Sequence, residues 1–299
     1  MTDLSPQAIR PLIRRALEED AASRDATSRA VIPATLRIRA RILAKAHGVA
    51  AGSKVAALIF TTLDPSLRCR LHVHSAATVS PAQPILTVEG RARSIFAAER
   101  AALNLLGHLS GIATLTAAYV RQVRGTRAQI FDTRKTLPGL RALERYAVRA
   151  GGGHNHRTDL AGAILIKTNH LRAIVRGGTG NGERGMGNVI QEAIERARRA
   201  RPKRVVEIEV TTVAELRAAL EAGPDAVLLD NWHPQGIRRA VRMARGAVFR
   251  SPFRVPLVEV SGGVTLANVR AIAKTGVDRI SVGRLTHSAP ALNVSLTVI

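Results

Sequence analysis

The stretch RVVEIEVTTVAELRAALEAGPDAVLLD, residues 204–230, contains the pattern that decides the fold. A short β-branched run (204–210) is followed by an amphipathic helical stretch (212–223) and by a second apolar run (226–230). The helical stretch begins at a threonine and ends at a glycine, the residue types that favour the two caps of a helix. Strand, helix and strand in this order are typical of two parallel strands joined by a crossover helix.

The same alternation extends over the last two thirds of the chain. The further apolar runs are AQIFD (128–132), AILIK (163–167), PLVEVS (256–261) and RISVG (279–283), and TLANVRAIAKTG (265–276) is a second capped helical stretch. Six such strands without the glycine fingerprint of dinucleotide-binding folds favour an open, incomplete α/β barrel of the TIM type over a doubly wound sheet. The sequence therefore predicts an α/β protein.

The first third of the chain follows a different pattern. Residues 5–19 predict a helix with Ser5 as its cap, and residues 94–120 predict a long helix. Three short alternating runs, at 36–44, 68–76 and 84–90, predict strands of an antiparallel sheet. This part is expected to form an α+β domain.

The chain is strongly basic, with 45 Lys and Arg residues against 22 Asp and Glu and a net charge of +23. The excess is spread over the whole length and aromatic residues make up only 3%, which argues against nucleic acid as the partner. Only six of the basic residues are lysines, so a lysine marks a position that needs a compact charge. Two of them, Lys135 and Lys167, lie where we expect chemistry.

The sequence also bears on location. Cys69 is the single cysteine, so no internal disulfide is possible and a reducing compartment is expected. We find no run of about 18 apolar residues that predicts a transmembrane helix. The first 20 residues lack the apolar core of a signal peptide. These features predict a cytoplasmic protein that does not associate with membranes.

A barrel of this kind places its active site at the carboxyl ends of the strands and in the loops that follow. The cationic residues expected at this rim are Arg134, Lys135, His156, Arg157 and Lys167, and the acidic ones are Glu209 and Asp230. Glycine-bearing turns at 261–263 and 282–284 offer bare N–H groups, as phosphate sites require. Such a rim suits a substrate with a phosphate at one end and carboxylates or phosphates at the other. The two acids can hold Mg²⁺ or stabilise a positive charge that develops at carbon.

An ordered set of motifs resembles the quinolinate phosphoribosyltransferase family, the decarboxylating nicotinate-nucleotide pyrophosphorylases. The motifs are DTRKTLPGLRALERYAVRAGGGHNHR (132–157), LIKTNH (165–170), EIEV (207–210), VLLDN (227–231), VSGGV (260–264) and ISVGRLTHSAPALNVSL (280–296). The segments 40–52 and 98–114 are similar as well, so the resemblance covers nearly the whole chain.

The resemblance implies an N-terminal α/β sandwich domain, residues 1–115 joined by a C-terminal strand at 289–299, and an open barrel at 116–288. It implies a reaction in which quinolinate attacks C1 of phosphoribosyl pyrophosphate with Mg²⁺, pyrophosphate leaves, and the 2-carboxylate is lost as carbon dioxide. The product is nicotinate mononucleotide, a precursor of NAD. A homodimer or a larger homo-oligomer with shared active sites is implied too.

The resemblance also implies roles for individual residues. Arg134, His156, Arg157 and Lys167 would bind the two quinolinate carboxylates, joined by Arg100 from the partner subunit. The catalytic residues would be Lys135, which contacts phosphoribosyl pyrophosphate, with Glu209 and Asp230, which lie near the ribose hydroxyls and Mg²⁺. Ser261, Gly262, Gly263 and Gly283 would bind the 5′-phosphate, with His287 close by.

The chain departs from the family pattern at four places. Thr168 and Asn293 stand where the family usually has Asp, the segment after residue 19 lacks the usual glycines, and the segment 176–188 is longer and richer in glycine. That segment is expected to be a surface loop or a lid over Lys167. Two other functions stay open: a phosphoribosyltransferase of the same fold with a different base, like the molybdenum-locus relatives of the family, and a basic nucleic-acid-associated protein.

Overall fold

The computed structural model describes residues 4–177, 185–246 and 255–299. The chain forms two compact units. The first comprises Met1–Ala118, Lys135–Gly153 and Gly283–Ile299, and the second comprises Tyr119–Arg134 and His154–Val282. The chain first passes from one unit to the other between Ala118 and Tyr119, close to the boundary expected at 115/116. Residues 135–153 belong to the first unit.

The first unit contains a four-stranded antiparallel sheet, a two-stranded sheet and helices. Its strands are β1 (Arg37–Ala44), β2 (Gly48–Val49), β3 (Arg68–Leu71), β4 (Thr78–Val79), β5 (Pro84–Arg91) and β12 (Val294–Val298). Its helices are α1 (Pro6–Glu19), α2 (Ala26–Val31), α3 (Ser53–Leu63), α4 (Ala92–Val123, which continues into the second unit), α5 (Arg141–Ala150) and α11 (Arg284–His287). The four-stranded sheet has the order β12-β1-β5-β3, β2 and β4 form the two-stranded sheet, and α3 packs on β3 and β5. The predicted α/β sandwich is confirmed.

Alternation along β1 explains how this sheet is buried on one face. Ala40 and Ile42 are fully buried, whereas Arg39 and Arg41, which alternate with them, are exposed. The strand predicted at 68–76 is shorter than expected, because β3 ends at Leu71 and Ala76, with φ of 74°, donates its N–H to the carbonyl of Ala50 instead. Ser5 stands at the N-cap of α1, but its side chain makes no capping hydrogen bond.

The segment that lacks the usual glycines forms its turn from other residues. Ala21 adopts a left-handed conformation, with φ of 48°, before the 3₁₀ turn Ala22–Arg24. Asp25 then caps α2, since its Oδ1 accepts a hydrogen bond of 3.0 Å from the N–H of Ser28. This hydrogen bonding lowers the pKa of the Asp25 carboxyl.

Helix α4, with 32 residues, is long and apolar enough to cross a membrane by length and composition. Its most apolar window has a mean hydropathy of 1.3, and 61% of that window is buried inside the protein. Leu106, Leu109 and Ile112 are fully buried side chains of this helix. A buried helix of this kind is typical of the core of a soluble protein, so α4 is only weak evidence for a membrane span.

The second unit contains a six-stranded parallel sheet. Its strands are β6 (Gln129–Phe131), β7 (Ile164–Ile166), β8 (Val206–Val210), β9 (Ala226–Asp230), β10 (Leu257–Ser261) and β11 (Arg279–Ser281), and its helices are α6 (Thr168–Gly177), α7 (Met186–Ala200), α8 (Val213–Ala222), α9 (Pro234–Gly246) and α10 (Val269–Ala273). The order is β6-β11-β10-β9-β8-β7, so β6 and β7 stand at its two ends. The α/β fold with an open barrel is confirmed, and all six predicted strands are present.

The two predicted helices of this unit differ in outcome. Helix α8 has the expected ends, with a reciprocal capping box between Thr212 and Glu215 and a left-handed Gly223 at its end. Helix α10 is shorter than the predicted 265–276. The side chain of Asn268 accepts a hydrogen bond from the N–H of Thr265 and donates one to the carbonyl of Gly263, and these bonds hold a turn in place of the first helical residues.

Alternation along β8 separates two environments. Val206, Ile208 and Val210 are fully buried on one side of the strand, where crossover helices cover a parallel sheet. Glu207 and Glu209 lie between them and point to the opposite side, which is the interior of the barrel.

Candidate functional site

Asp132, directly after β6, fixes the chain that enters the site from residue 154 onward. Its carboxylate is fully buried and accepts hydrogen bonds from Nδ2 of Asn155 (2.5 Å) and from the N–H of His156 (2.7 Å). The loop 154–157 is therefore held against the end of β6. Asp132 ends the apolar run AQIFD, so its place at a strand end can be recognised in the sequence, but its contact with this loop cannot.

The side chain of His156 extends into the interior of the sheet and meets two buried acids. Its Nε2 lies 3.2 Å from Oε2 of Glu207 on β8 and 3.4 Å from Oε1 of Glu259 on β10. Glu259 is fully buried, and its Oε1 also accepts a hydrogen bond of 2.5 Å from Ser281. The guanidinium of Arg279 lies 3.9 Å from its other oxygen.

Two influences act on the His156 ring. Burial by itself lowers the pKa of His156, but the carboxylates of Glu207 and Glu259 outweigh it and raise the pKa to about 10. The N–H of Arg157 lies 2.8 Å from Nδ1, and an accepting Nδ1 cannot carry a proton, so this contact favours the neutral ring. Both influences keep a hydrogen on Nε2, facing the acids.

The predicted cations Arg134 and Arg157 lie near each other. Burial, followed by the positive charge of Arg134, lowers the pKa of the Arg157 guanidinium. Nη1 of Arg157 donates a hydrogen bond of 3.0 Å to the carbonyl of Ala163, which fixes the fork just before β7. Two like charges held together in a partly buried place favour the binding of an anion.

Lys167 and Glu209 come from the ends of the neighbouring strands β7 and β8. Lys167 is exposed, and its N–H donates a hydrogen bond of 2.9 Å to Nδ1 of His170. The next residue, Thr168, donates to Oε1 of Glu209 from both its N–H (3.2 Å) and its hydroxyl (2.8 Å). The departure at position 168 thus places a neutral donor, in place of an acid, against the Glu209 carboxylate.

Asp230 and the phosphate turn are joined through Asn231. The Asn231 side chain donates a hydrogen bond of 3.1 Å to Oδ2 of Asp230, and its N–H donates one of 2.9 Å to the carbonyl of Ser261. Gly262 has φ of +87°, and a Cβ there would lie 2.2 Å from Oδ1 of Asn231. The turn after β10 therefore requires glycine, as the sequence predicted for a site with bare N–H groups.

The first unit brings together three of the predicted phosphate-binding residues. A Cβ on Gly283 would meet the side chains of Lys135 and His287 at 3.1 and 3.3 Å, so both side chains flank this glycine. The hydroxyl of Thr286 donates a hydrogen bond of 2.7 Å to the carbonyl of Lys135. A small, positively charged recess with an exposed backbone is suited to a phosphate.

The loop after Lys135 is anchored by a buried acid that the sequence analysis did not identify. Glu144 is fully buried on α5. Its Oε1 lies 2.9 Å from Nε2 of His108, and its Oε2 accepts a hydrogen bond of 3.3 Å from the N–H of Leu137.

Arg100 is exposed on α4. Burial raises the pKa of the adjacent Glu99 carboxyl, and the positive charge of Arg100 opposes this effect.

The other two departures from the family pattern are Asn293 and the glycine-rich segment. Asn293 is exposed, and its carbonyl accepts a hydrogen bond of 2.9 Å from the N–H of Lys45. Residues 178–184 of the glycine-rich segment, where a surface loop or a lid was expected, lie outside the described residues. Gly177 ends α6 and Gly185 stands before α7.

Comparison with known families matches both parts of the chain. Residues 25–110 match the N-terminal domain of quinolinate phosphoribosyl transferase, and residues 112–297 match its C-terminal domain. The nicotinate-nucleotide pyrophosphorylase [carboxylating] of Mycobacterium leprae is 42% identical over 99% of both chains. A quinolinate phosphoribosyltransferase [decarboxylating] of Nicotiana tabacum is 35% identical over 97% of this chain and 82% of its own length.

Solved structures agree with these matches. The crystal structure of NadC from Streptococcus pyogenes has a TM-score of 0.88 at 35% identity and covers both chains completely. The nicotinate-nucleotide pyrophosphorylase from Francisella tularensis has a TM-score of 0.87 at 34% identity, over 99% of this chain and 98% of its own. The chain therefore belongs to the quinolinate phosphoribosyl transferase family, as its ordered motifs predicted.

Proposed function

We propose that this chain transfers the phosphoribosyl group of phosphoribosyl pyrophosphate to quinolinate. The ring nitrogen of quinolinate forms a bond to C1 of the ribose as the bond to pyrophosphate breaks. The bond to the 2-carboxylate then breaks, carbon dioxide leaves, and the electron pair left on the ring carbon takes up a proton. The product is nicotinate mononucleotide. The observation that carries this proposal is the neighbouring guanidinium pair Arg134 and Arg157 in a chain of this family.

The dicarboxylate end of the substrate is assigned to the cationic residues. Arg134 and Arg157 present planar forks that match carboxylates in a bidentate manner, which a lysine cannot do. Lys167, exposed at the end of β7, adds a mobile point charge. Burial and then the positive charge of Arg134 lower the pKa of Arg157, and a bound anion offsets both effects by stabilising the charged guanidinium.

The reacting carbon is assigned to the acidic residues. Glu209 and Asp230 end the adjacent parallel strands β8 and β9, and Thr168 and Asn231 fix their oxygens. Carboxylates held in this way stabilise the positive charge that develops on the ribose as pyrophosphate leaves.

The same two acids suit Mg²⁺, the metal that the family implies. Oxygen ligands from a pair of carboxylates, with retained waters, are the ligand set that Mg²⁺ prefers. When bound, Mg²⁺ supplies positive charge to the departing pyrophosphate. Glu209 and Asp230 are the residues that we assign to hold it.

The phosphate groups are assigned to two glycine-bearing turns. The turn at Ser261, Gly262 and Gly263 exposes N–H groups in the second unit, and Gly283 with Lys135 and His287 forms a cationic recess in the first. The family resemblance assigns the 5′-phosphate to residues of these turns, and we assign Lys135 to phosphoribosyl pyrophosphate. We further propose that the protein is a homodimer in which Arg100 reaches the partner's site. We place the protein in the cytoplasm.

A base panel tests this function against the alternatives. Purified protein is supplied with phosphoribosyl pyrophosphate, Mg²⁺ and one base at a time: quinolinate, nicotinate, nicotinamide or a non-pyridine acid. The proposal expects nicotinate mononucleotide from quinolinate alone. Turnover of another base in preference to quinolinate indicates a paralogue with changed specificity. Salt-sensitive retention on nucleic acid without turnover of any base indicates a nucleic-acid-associated protein.

A further inference from the structure

We propose that Glu207 and Glu259 are positioning residues that act on substrate binding through His156 and Arg157. The two acids hold the His156 ring from inside the sheet, and the ring in turn holds the main chain of Arg157. This inference rests on the proposed function in one respect, because Arg157 is the residue assigned to a quinolinate carboxylate.

The contacts form one continuous path from the strands to the arginine fork. Carboxylate oxygens on β8 and β10 lie 3.2 and 3.4 Å from Nε2 of His156. On the opposite side of the ring, Nδ1 accepts a hydrogen bond of 2.8 Å from the N–H of Arg157. The ring thus has a close contact at each nitrogen, and its position determines the position of the Arg157 main chain.

A second set of contacts holds the same loop from the other side. Asp132 accepts hydrogen bonds from the N–H of His156 and from Asn155, and Nη1 of Arg157 donates to the carbonyl of Ala163. The loop 154–157 is therefore clamped between β6, β8, β10 and the chain before β7. An Arg157 guanidinium held in this way loses little conformational entropy when it binds a carboxylate.

The cost of the two acids indicates a role other than stability. Glu207 and Glu259 are 4% and 0% exposed, and among the described residues Oε1 of Glu207 and Oε2 of Glu259 make no hydrogen bond. Buried carboxylates with incomplete partners destabilise a fold relative to apolar side chains of similar volume. A sheet interior built for stability alone would carry apolar residues at these two positions.

The geometry favours a cluster of an imidazole and two acids at ion-pair distance over a metal centre. The ligand atoms of His156, Glu207 and Glu259 lie within 4.8 Å of one another, as those of a metal site do. A ring that ligates through Nε2 must present a lone pair there and keep its hydrogen on Nδ1. A neutral ring that accepts the N–H of Arg157 at Nδ1 carries its hydrogen on Nε2, and a charged ring carries one there as well, so Nε2 offers no lone pair to a metal in either state.

The test measures quinolinate affinity by calorimetry without phosphoribosyl pyrophosphate, in the variants Glu207→Gln and Glu259→Gln. Each substitution keeps the shape and removes one charge. We expect the dissociation constant of quinolinate to rise by about tenfold or more, as for a misplaced binding group. The Michaelis constant for phosphoribosyl pyrophosphate should stay within about twofold of its original value.

Asp278→Asn is the matched control. Asp278 is a buried acid of the same unit, at the amino end of β11, where it binds Arg127, Arg245 and the N–H of Val258. This control should lower the melting temperature and leave quinolinate affinity unchanged. If the two glutamate variants behave as the control does, Glu207 and Glu259 are merely structural and the inference is overturned.

Two further measurements cover a glutamate variant that does not fold. Ser281→Ala removes the hydrogen bond to Oε1 of Glu259 without removing a charge, and it should weaken quinolinate binding by about threefold to tenfold. A double-mutant cycle of Ser281→Ala with Arg157→Lys should be non-additive, because both act through the same fork. Additive effects, or unchanged affinity in Ser281→Ala, overturn the inference. The inference is also overturned if the unsubstituted protein binds Zn²⁺ and Ser281→Ala weakens that binding.

The original chain distinguishes the two levels of the account. If it does not bind quinolinate, the proposed function fails and with it the assignment of Arg157. If it binds quinolinate and the variants bind equally well, only the positioning role of the two glutamates fails.

Discussion

The hydroxyl of Thr168 donates a hydrogen bond of 2.8 Å to Oε1 of Glu209, and the Thr168 N–H donates a second one of 3.2 Å to the same oxygen. A neutral residue at the end of one strand thus orients a carboxylate at the end of the next. Two donors on one oxygen fix the orientation of the Glu209 carboxylate.

Thr168→Val removes the hydroxyl and keeps the shape of the side chain. We expect a fall in kcat of about threefold to tenfold, since one hydrogen bond to a charged group contributes about 1.5–3 kcal/mol and the backbone donor remains. The KM for quinolinate should change little. Thr168→Ser restores the hydroxyl and should restore kcat in steady-state assays; a serine variant as slow as the valine variant contradicts this role.

The arginine pair is tested by binding. Arg134→Ala and Arg157→Ala should each weaken quinolinate binding by about 1.5–3 kcal/mol or more, the cost of losing a charge-assisted bond to an anion. Arg242→Ala is the control, because Arg242 is an exposed arginine on α9. Calorimetry in which both rim variants bind quinolinate as tightly as the control does would refute the assignment.

The acidic pair is tested by separating turnover from affinity. Glu209→Gln and Asp230→Asn should lower kcat strongly while the quinolinate dissociation constant changes little. An interaction made only in the transition state reduces the rate without a matching loss of ground-state binding. Normal turnover in either variant would show that the acid has a structural role. Titration with Mg²⁺ should show weaker binding in both variants.

Sharing of sites between subunits is tested by complementation. Arg100→Ala and Lys167→Ala should each be inactive alone, because one removes the residue assigned to the partner's site and the other a residue of the chain's own site. Mixed dimers then contain one intact site, so mixing and subunit exchange should return part of the activity. Exchange demonstrated by mass spectrometry without returning activity means that Arg100 does not act across an interface.

Sequence patterns predicted the fold well where a single physical signal dominates. The six strands of the barrel followed from short β-branched runs, and α8 followed from its capping threonine and terminal glycine. Helix α10 was predicted too long because Asn268 bonds to Thr265 and Gly263, a local competition that periodicity does not reveal. Likewise β3 is shorter than its alternation indicates, since Ala76 adopts a positive φ and bonds to Ala50.

The site was predicted unevenly for a related reason. Residues at strand ends, such as Glu209 and Asp230, can be identified because every parallel strand delivers its end to the same rim. Glu207 and Glu259 lie inside their strands, and their role depends on a histidine far away in the sequence. The run EIEV shows that two acids share one face of β8, but only the strand order shows which residue meets them.

The most direct test of the central claim follows both products of one reaction. Quinolinate labelled with ¹⁴C in its 2-carboxylate is incubated with the protein, phosphoribosyl pyrophosphate and Mg²⁺. The account predicts equal amounts of nicotinate mononucleotide and labelled carbon dioxide, with neither formed when phosphoribosyl pyrophosphate is omitted. Absence of both products, or a nucleotide that retains the label, would contradict it.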